Sequence, residues 1–139
     1  MSYGRVLREA LHRSTWTKEF VSGWVIGFSD YGISEWLLEK CHLVFFDKVV
    51  ERESIGQATI KILDVLALPT LGDGEALLGM TCSCSAQEDL EIIAIGVPSF
   101  GEPKELRDLR LAWRANRLSE RFEQVHEAEV TCWATGGGP

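Results

Sequence analysis

Cys82, Ser83 and Cys84 place two thiols on either side of one residue, and with Cys132 and a histidine they would make the soft donor set that zinc takes. Their spacing opposes that chemistry. Structural zinc sites draw cysteines from tight knuckles with about two to four intervening residues. A single intervening residue on a strand sends both thiols to one face, about 7 Å apart at Cα, without closing a chelate. A disulfide between these near neighbours would need a strained ring. Redox or nucleophilic use needs a cation or a helix N-terminus to lower the thiol pKa, and the charges nearest in sequence are Glu88, Asp89 and Glu91. His12, His42 and His126 stand in no recognisable catalytic spacing with a cysteine or serine. The reading is two small side chains on one strand face, with no catalytic residue, cofactor or metal. A metal- or thiol-dependent protein using Cys82, Cys84 and Cys132 is the alternative.

The carboxylates Asp73, Glu75, Glu88, Asp89 and Glu91 suggest an acidic surface that steers a basic protein partner. The Asp73-Gly74-Glu75 run is too short for a calcium loop, whose ligands spread over about twelve positions. Gly72 and Gly74 lack the Lys-Ser/Thr that follows a phosphate-binding loop and read as turn residues. Arg107, Arg110, Arg114, Arg117 and Arg121 crowd one stretch, but Glu105, Asp108, Glu120 and Glu123 are interleaved with them. A solvated, ion-paired face is the default there, with Arg114 and Arg121 best placed for an acidic partner. Among five tryptophans, Trp24, Trp36 and Trp113 lie in apolar runs and are assigned to the core. Trp16 and Trp133 sit nearer element ends and are the candidates for exposed anchors.

The 139 residues carry 14 basic and 21 acidic side chains, a net charge of -7, and are 45% hydrophobic, which describes a folded domain rather than a disordered chain. Residues 41–100 hold three basic groups against nine acidic ones, so the acidity sits in the middle. A field of that sign repels a phosphate backbone and disfavours nucleic acid as a partner. Arg5, Arg8 and Glu9 interrupt what would have to be an apolar leader core, and no apolar run reaches the ~20 residues of a membrane span. The expectation is a cytoplasmic protein with free thiols at Cys41, Cys82, Cys84 and Cys132, since reducing compartments keep cysteines unpaired.

Periodicity assigns these residues to strands, turns and one helix. Residues 4–13 carry Val6, Leu7, Ala10 and Leu11 at helical spacing, predicting a short amphipathic helix. Residues 20–28, 35–44 and 43–50 predict a three-strand meander around the turn at 29–32. Residues 57–68 fit strand or helix, and the reading takes a strand through Ile62 and then an irregular segment. Strands are predicted at 76–84 and 90–97 around the turn at 85–89, with Ile92–Val97 central and covered on both faces. A final hairpin spans 109–115 and 121–133, and residues 136–139 are a disordered Gly/Pro tail.

The pattern of a helix followed by GWVIGFSD, SEWLL and LVFFDKVVE resembles the opening of small SH3-like or Sm-like barrels, and implies a strongly bent sheet without the stacking platform of RNA-binding members. In the C-terminal half, KILDVLALP, LEIIAIGV, LAWRAN and RFEQVHEAEVTCW together resemble small uncharacterised bacterial proteins. That resemblance implies a bacterial stand-alone domain and no activity. The reading is therefore an α+β fold, mainly antiparallel hairpins and bent sheet with a short N-terminal helix, as a single domain over 1–135. It binds another protein rather than catalysing a reaction, as an inhibitor, immunity-type or adaptor domain. A homodimer through an unpaired sheet edge is a further expectation.

Overall fold

β-Branched and aromatic residues recur at alternate positions through residues 18–67, broken by short polar turns, and each run becomes a strand. The computed structural model describes residues 18–39, 41–52, 58–98, 104–106 and 108–134. The first element, β1 (Lys18–Val25), pairs antiparallel with β2 (Tyr31–Leu38), then β3 (Cys41–Arg52) and β4 (Ala58–Ala67) follow in the spatial order β1-β2-β3-β4. Glu39 takes a left-handed φ of 54° in the turn that separates β2 from β3. One face of this sheet carries Leu43, Phe45 and Val65 with Leu38, Trp36 and Ile62 packed around them. Phe20 meets Trp36 edge-on at 5.2 Å between ring centroids, and Trp36 stacks on Phe45 at 6.2 Å.

By its internal contacts the chain divides into two compact units, Met1–Thr70 with Arg117–Phe122, and Leu71–Asn116 with Glu123–Pro139. In the first unit the Arg117–Phe122 turn is tied to the sheet through side chains. Tyr31 donates to Glu120 at 2.8 Å, Phe122 N–H donates to the Asp64 carboxylate at 2.8 Å, and the Phe122 ring lies 5.6 Å from Phe46.

The second unit holds β5 (Ala76–Gly79), β6 (Cys82–Cys84), β7 (Gln87–Glu88), β8 (Ile92–Gly96), β9 (Lys104–Leu106), β10 (Leu111–Asn116) and β12 (Val130–Ala134), with β11 (Arg121–Val125) continuing into it. Two four-stranded sheets, β11-β10-β8-β5 and β7-β6-β12-β9, share a core of Leu78, Ile92, Ala94, Leu109 and Ala112 with Cys82, Val130 and Cys132. All five residues of β8 are buried, as expected for the inner strand of its sheet. Gly96 ends β8 where a Cβ would stand 2.8 Å from Leu109 and 3.1 Å from Leu78, so a larger residue there requires those leucine side chains to shift.

The α+β assignment is corrected. The described residues form twelve antiparallel strands and one 3-10 turn at Glu127–Glu129, with no α-helix, so the fold is mainly β. The helix expected at 4–13 lies outside the described residues, as does the tail at 136–139. Residues 57–68 supply β4 through Ala67 because Val44 and Phe45 offer ladder partners at Leu66 and Val65, and two register shifts absorb the imperfect alternation. The single strand expected at 76–84 is two strands in different sheets, separated at Met80 by a left-handed φ of 71°. The last strand of the expected hairpin is likewise divided by the 3-10 turn into β11 and β12.

Candidate functional site

Alternation along β6 and β12 builds two chemically different faces from a few residues. The register sets Cys82 opposite Cys132, Ser83 opposite Thr131 and Cys84 opposite Val130, and continues from β12 to β9 with Trp133 opposite Glu105. Cys82, Cys84, Val130, Cys132 and Leu106 belong to the core side. The opposite side presents Ser83, Thr131, Trp133 and Glu105.

The core side corrects the expectation of four free thiols. Cys82 and Cys132 form a disulfide across 50 residues of chain, while Cys41 and Cys84 remain free. The pairing follows from direct cross-strand opposition at a Cα separation of 4.0 Å. Spacing alone could not reveal it, because the partner strand is far away in sequence. With two of the three cysteines joined, their thiolates are not available as a metal donor set, and the described residues hold no group of three or more His, Cys, Asp or Glu placed to bind a metal.

The outer side combines an exposed aromatic side chain with concave surface. Trp133 is 50% exposed. Its backbone is held at both ends by Thr81: the Trp133 N–H donates to the Thr81 carbonyl at 3.0 Å, and the Thr81 hydroxyl donates to the Trp133 carbonyl. Trp133 lines a cavity of about 540 Å³ together with Ser83, Ser85, Ala86, Glu105, Glu129 and Thr131, with Ala128 beside them. It also lines a cavity of about 350 Å³ with Met80, Thr81, Cys82, Ser83 and Glu88. Ser83 and Thr131 hydrogen-bond to each other at 2.7 Å across the strands, and both line the first of these cavities. No Lys, Arg or His is among the described residues lining either cavity.

The other sequence candidates are dispersed. Asp73 is exposed in its turn. Glu75 accepts two hydrogen bonds from Arg110, at 2.8 and 2.9 Å, and one from the Gly72 N–H; the Gly72 bond and then Arg110 hold its carboxyl below the ordinary value. Asp89 shares Arg114 with Glu91, the latter at 3.0 Å. Arg114 is thereby occupied within its own unit, while Arg121 is exposed at the start of β11. Glu88 is the one member of the acidic group that reaches the Trp133 face. Trp16 lies outside the described residues.

A cluster the spacing did not announce sits on the first sheet. Glu35, only 7% exposed, accepts from Ser22 at 2.8 Å and pairs with the His42 ring. The signal was available in the hairpin register, which puts Ser22 beside Glu35 and places His42 two residues along β3 from Glu35's partner Val44. Ser22 and His42 both address the carboxylate rather than each other. The nucleophile-to-base bond of a serine relay is therefore not made, and the cluster satisfies a buried acid.

Comparison of the chain with protein-family models, with curated proteins and with solved structures finds no match.

Proposed function

We propose that the chain is a non-catalytic protein-binding domain whose contact surface is the outer face of β7-β6-β12-β9, with Trp133 as anchor and a basic, Lys- or Arg-bearing segment as partner. The observation that carries this is a half-exposed tryptophan that lines two concavities whose carboxylates are Glu88, Glu105 and Glu129. Aromatic anchors dominate interface energetics when a pocket rims them, and an indole face favours a cation. The fixed backbone of Trp133 reduces the ordering that binding must impose. This reading keeps the acidic-surface idea but moves its centre. Glu75 and Asp89 already have arginine partners, so the acidic contact centres on the exposed Glu88 and Glu129.

Peptide arrays test the proposal. Lys/Arg-containing peptides should be retained over matched peptides with neutral side chains, and Trp133→Ala should weaken retention by about 2 kcal/mol or more, a loss of roughly thirtyfold. Equal retention of neutral peptides, or indifference to Trp133→Ala, would remove the reading. Self-association through a sheet edge is read in the same samples by light scattering, where a concentration-independent monomer mass counts against it.

No helix among the described residues is long and apolar enough to cross a membrane. A cytoplasmic location rests on the sequence reading alone, and the Cys82–Cys132 disulfide supports an oxidising compartment instead. Thiol counting on protein taken from its native source distinguishes them: two reactive cysteines under denaturing conditions mean the disulfide forms there, four mean a reducing compartment.

A further inference from the structure

The first unit carries a second concavity with a different chemistry. It has a volume of about 210 Å³ and lies at the end of the first sheet, where Trp24 and Val25 of β1, Gly32 and Ile33 of β2, Asp47 and Val49 of β3 and Ile60 of β4 meet the Ser29–Tyr31 turn. Val25, Val49 and Ile60 give it apolar walls, with Val25 and Ile60 both more than half exposed, while Ser29, Asp30 and Tyr31 add polar lining from the turn and the start of β2. Asp47 comes from β3. Burial raises its carboxyl above the ordinary value, and the carboxylate makes no hydrogen bond or ion pair with any described residue.

Two local features put the carboxylate there. β3 keeps its alternation here, so Asp47 falls on the same face as Phe45 and Val49, and the register shift beside it leaves Leu63 of β4 as the extra residue. Directly opposite, β2 has Gly32, where a Cβ would come 2.9 Å from Asp47 Oδ1 and occupy its space. An acidic group is thus held beside apolar side chains by strand alternation and by a missing side chain opposite it. Unpaired, such a group costs stability; it is compensated by a donor that brings positive charge.

From this geometry we infer that the cavity binds a primary ammonium group carried on a short aliphatic stem, with Asp47 pairing the ammonium and Val25, Val49 and Ile60 covering the stem. The cavity is too small for a drug-sized ligand, and its carboxylates, Asp30 and Asp47, are not part of any group of three or more His, Cys, Asp or Glu placed to hold a metal among the described residues. Free alkylamines and the lysine side chain of a partner share this chemistry. The site is separate from the Trp133 face in residues and in unit, so the two proposals fail independently.

The test is a titration of the isotope-labelled full chain, followed by two-dimensional NMR, with n-butylammonium, with Nα-acetyl-lysine amide, and with butanol as the uncharged analogue. The expected result is saturable shifts of the Gly32, Asp47, Val49 and Ile60 amides with the ammonium ligands and none with butanol. Stronger binding of the lysine derivative than of butylammonium assigns the site to a peptide source, and the reverse assigns it to a free amine. Asp47→Asn keeps the shape and should weaken binding roughly tenfold or more, the loss of a charge-assisted hydrogen bond. Binding should also fade as pH falls and Asp47 takes a proton; Asp30 and Tyr31 are the other ionisable groups lining the cavity. Gly32→Ala, which fills the space, should abolish binding, and if that variant does not fold, Asp47→Asn still decides. Absence of saturable shifts, equal response to butanol, or undiminished binding to Asp47→Asn overturns the inference.

Discussion

At the scale of single residues, Asp47 and Trp133 are opposite cases of one principle, that an unsatisfied group on an accessible surface points outward. Asp47 is an acid in an apolar recess, and its raised pKa has a definite sign in stability. A carboxyl with a folded pKa above its unfolded value supports the fold fully below the unfolded pKa and loses that contribution as pH rises through the folded one. Asp47→Asn should therefore raise the thermal midpoint at neutral pH, with the gain shrinking to nothing as pH drops below the ordinary value of 3.8. Thermal melts of both proteins across that range check it; a lower midpoint for the variant at neutral pH would contradict the account. Trp133 was legible in the sequence from its position near the end of an apolar run. The recess around Asp47 was not, because it depends on which strands pair beside it and on a glycine in one of them.

At the scale of elements, the β6–β12 pair and the β6–β7 hairpin are where sequence patterns and structure part most clearly. The Cys82–Cys132 link closes 50 residues of chain, and removing it by paired Cys→Ser changes should cost about 4 kcal/mol in denaturant unfolding, the entropy of a loop that size. A loss under ~1 kcal/mol would show that the strand pairing holds without it. The hairpin turn is Ser85-Ala86 with φ of 51° and 66°, a conformation that Asn-Gly would ordinarily signal. Ala86→Gly should stabilise the protein by about 1 kcal/mol by relieving the left-handed backbone at a residue with a Cβ. Strands with strong β-branched runs, such as β3 and β8, were readable from composition. The divisions at Met80 and at Glu127–Glu129 were not, because they reflect which sheet each strand joins, and that is decided by tertiary pairing. The same reason hid β9, a three-residue strand in a stretch read as a loop and its polar continuation.

At the scale of the whole molecule, the net charge of -7 and its concentration in residues 41–100 set a negative field, which attracts positive groups. The structure refines that field, since Arg110 and Arg114 neutralise Glu75, Asp89 and Glu91 locally while Glu88 and Glu129 stay exposed around Trp133. Binding at this face should weaken as ionic strength rises and the Debye length falls from about 10 Å at 0.1 M salt to about 3 Å at 1 M. The decisive measurement of binding at Trp133 follows its indole N–H resonance, assigned by its loss in Trp133→Phe, while a Lys/Arg-rich peptide is added at low and then high salt. The expected outcome is a saturable shift of that resonance, accompanied by the amides of Ser83, Glu88, Glu129 and Thr131, and a clear loss of affinity at high salt. A Trp133 resonance that stays fixed while the peptide binds elsewhere, or does not bind, would rule out this face as the contact.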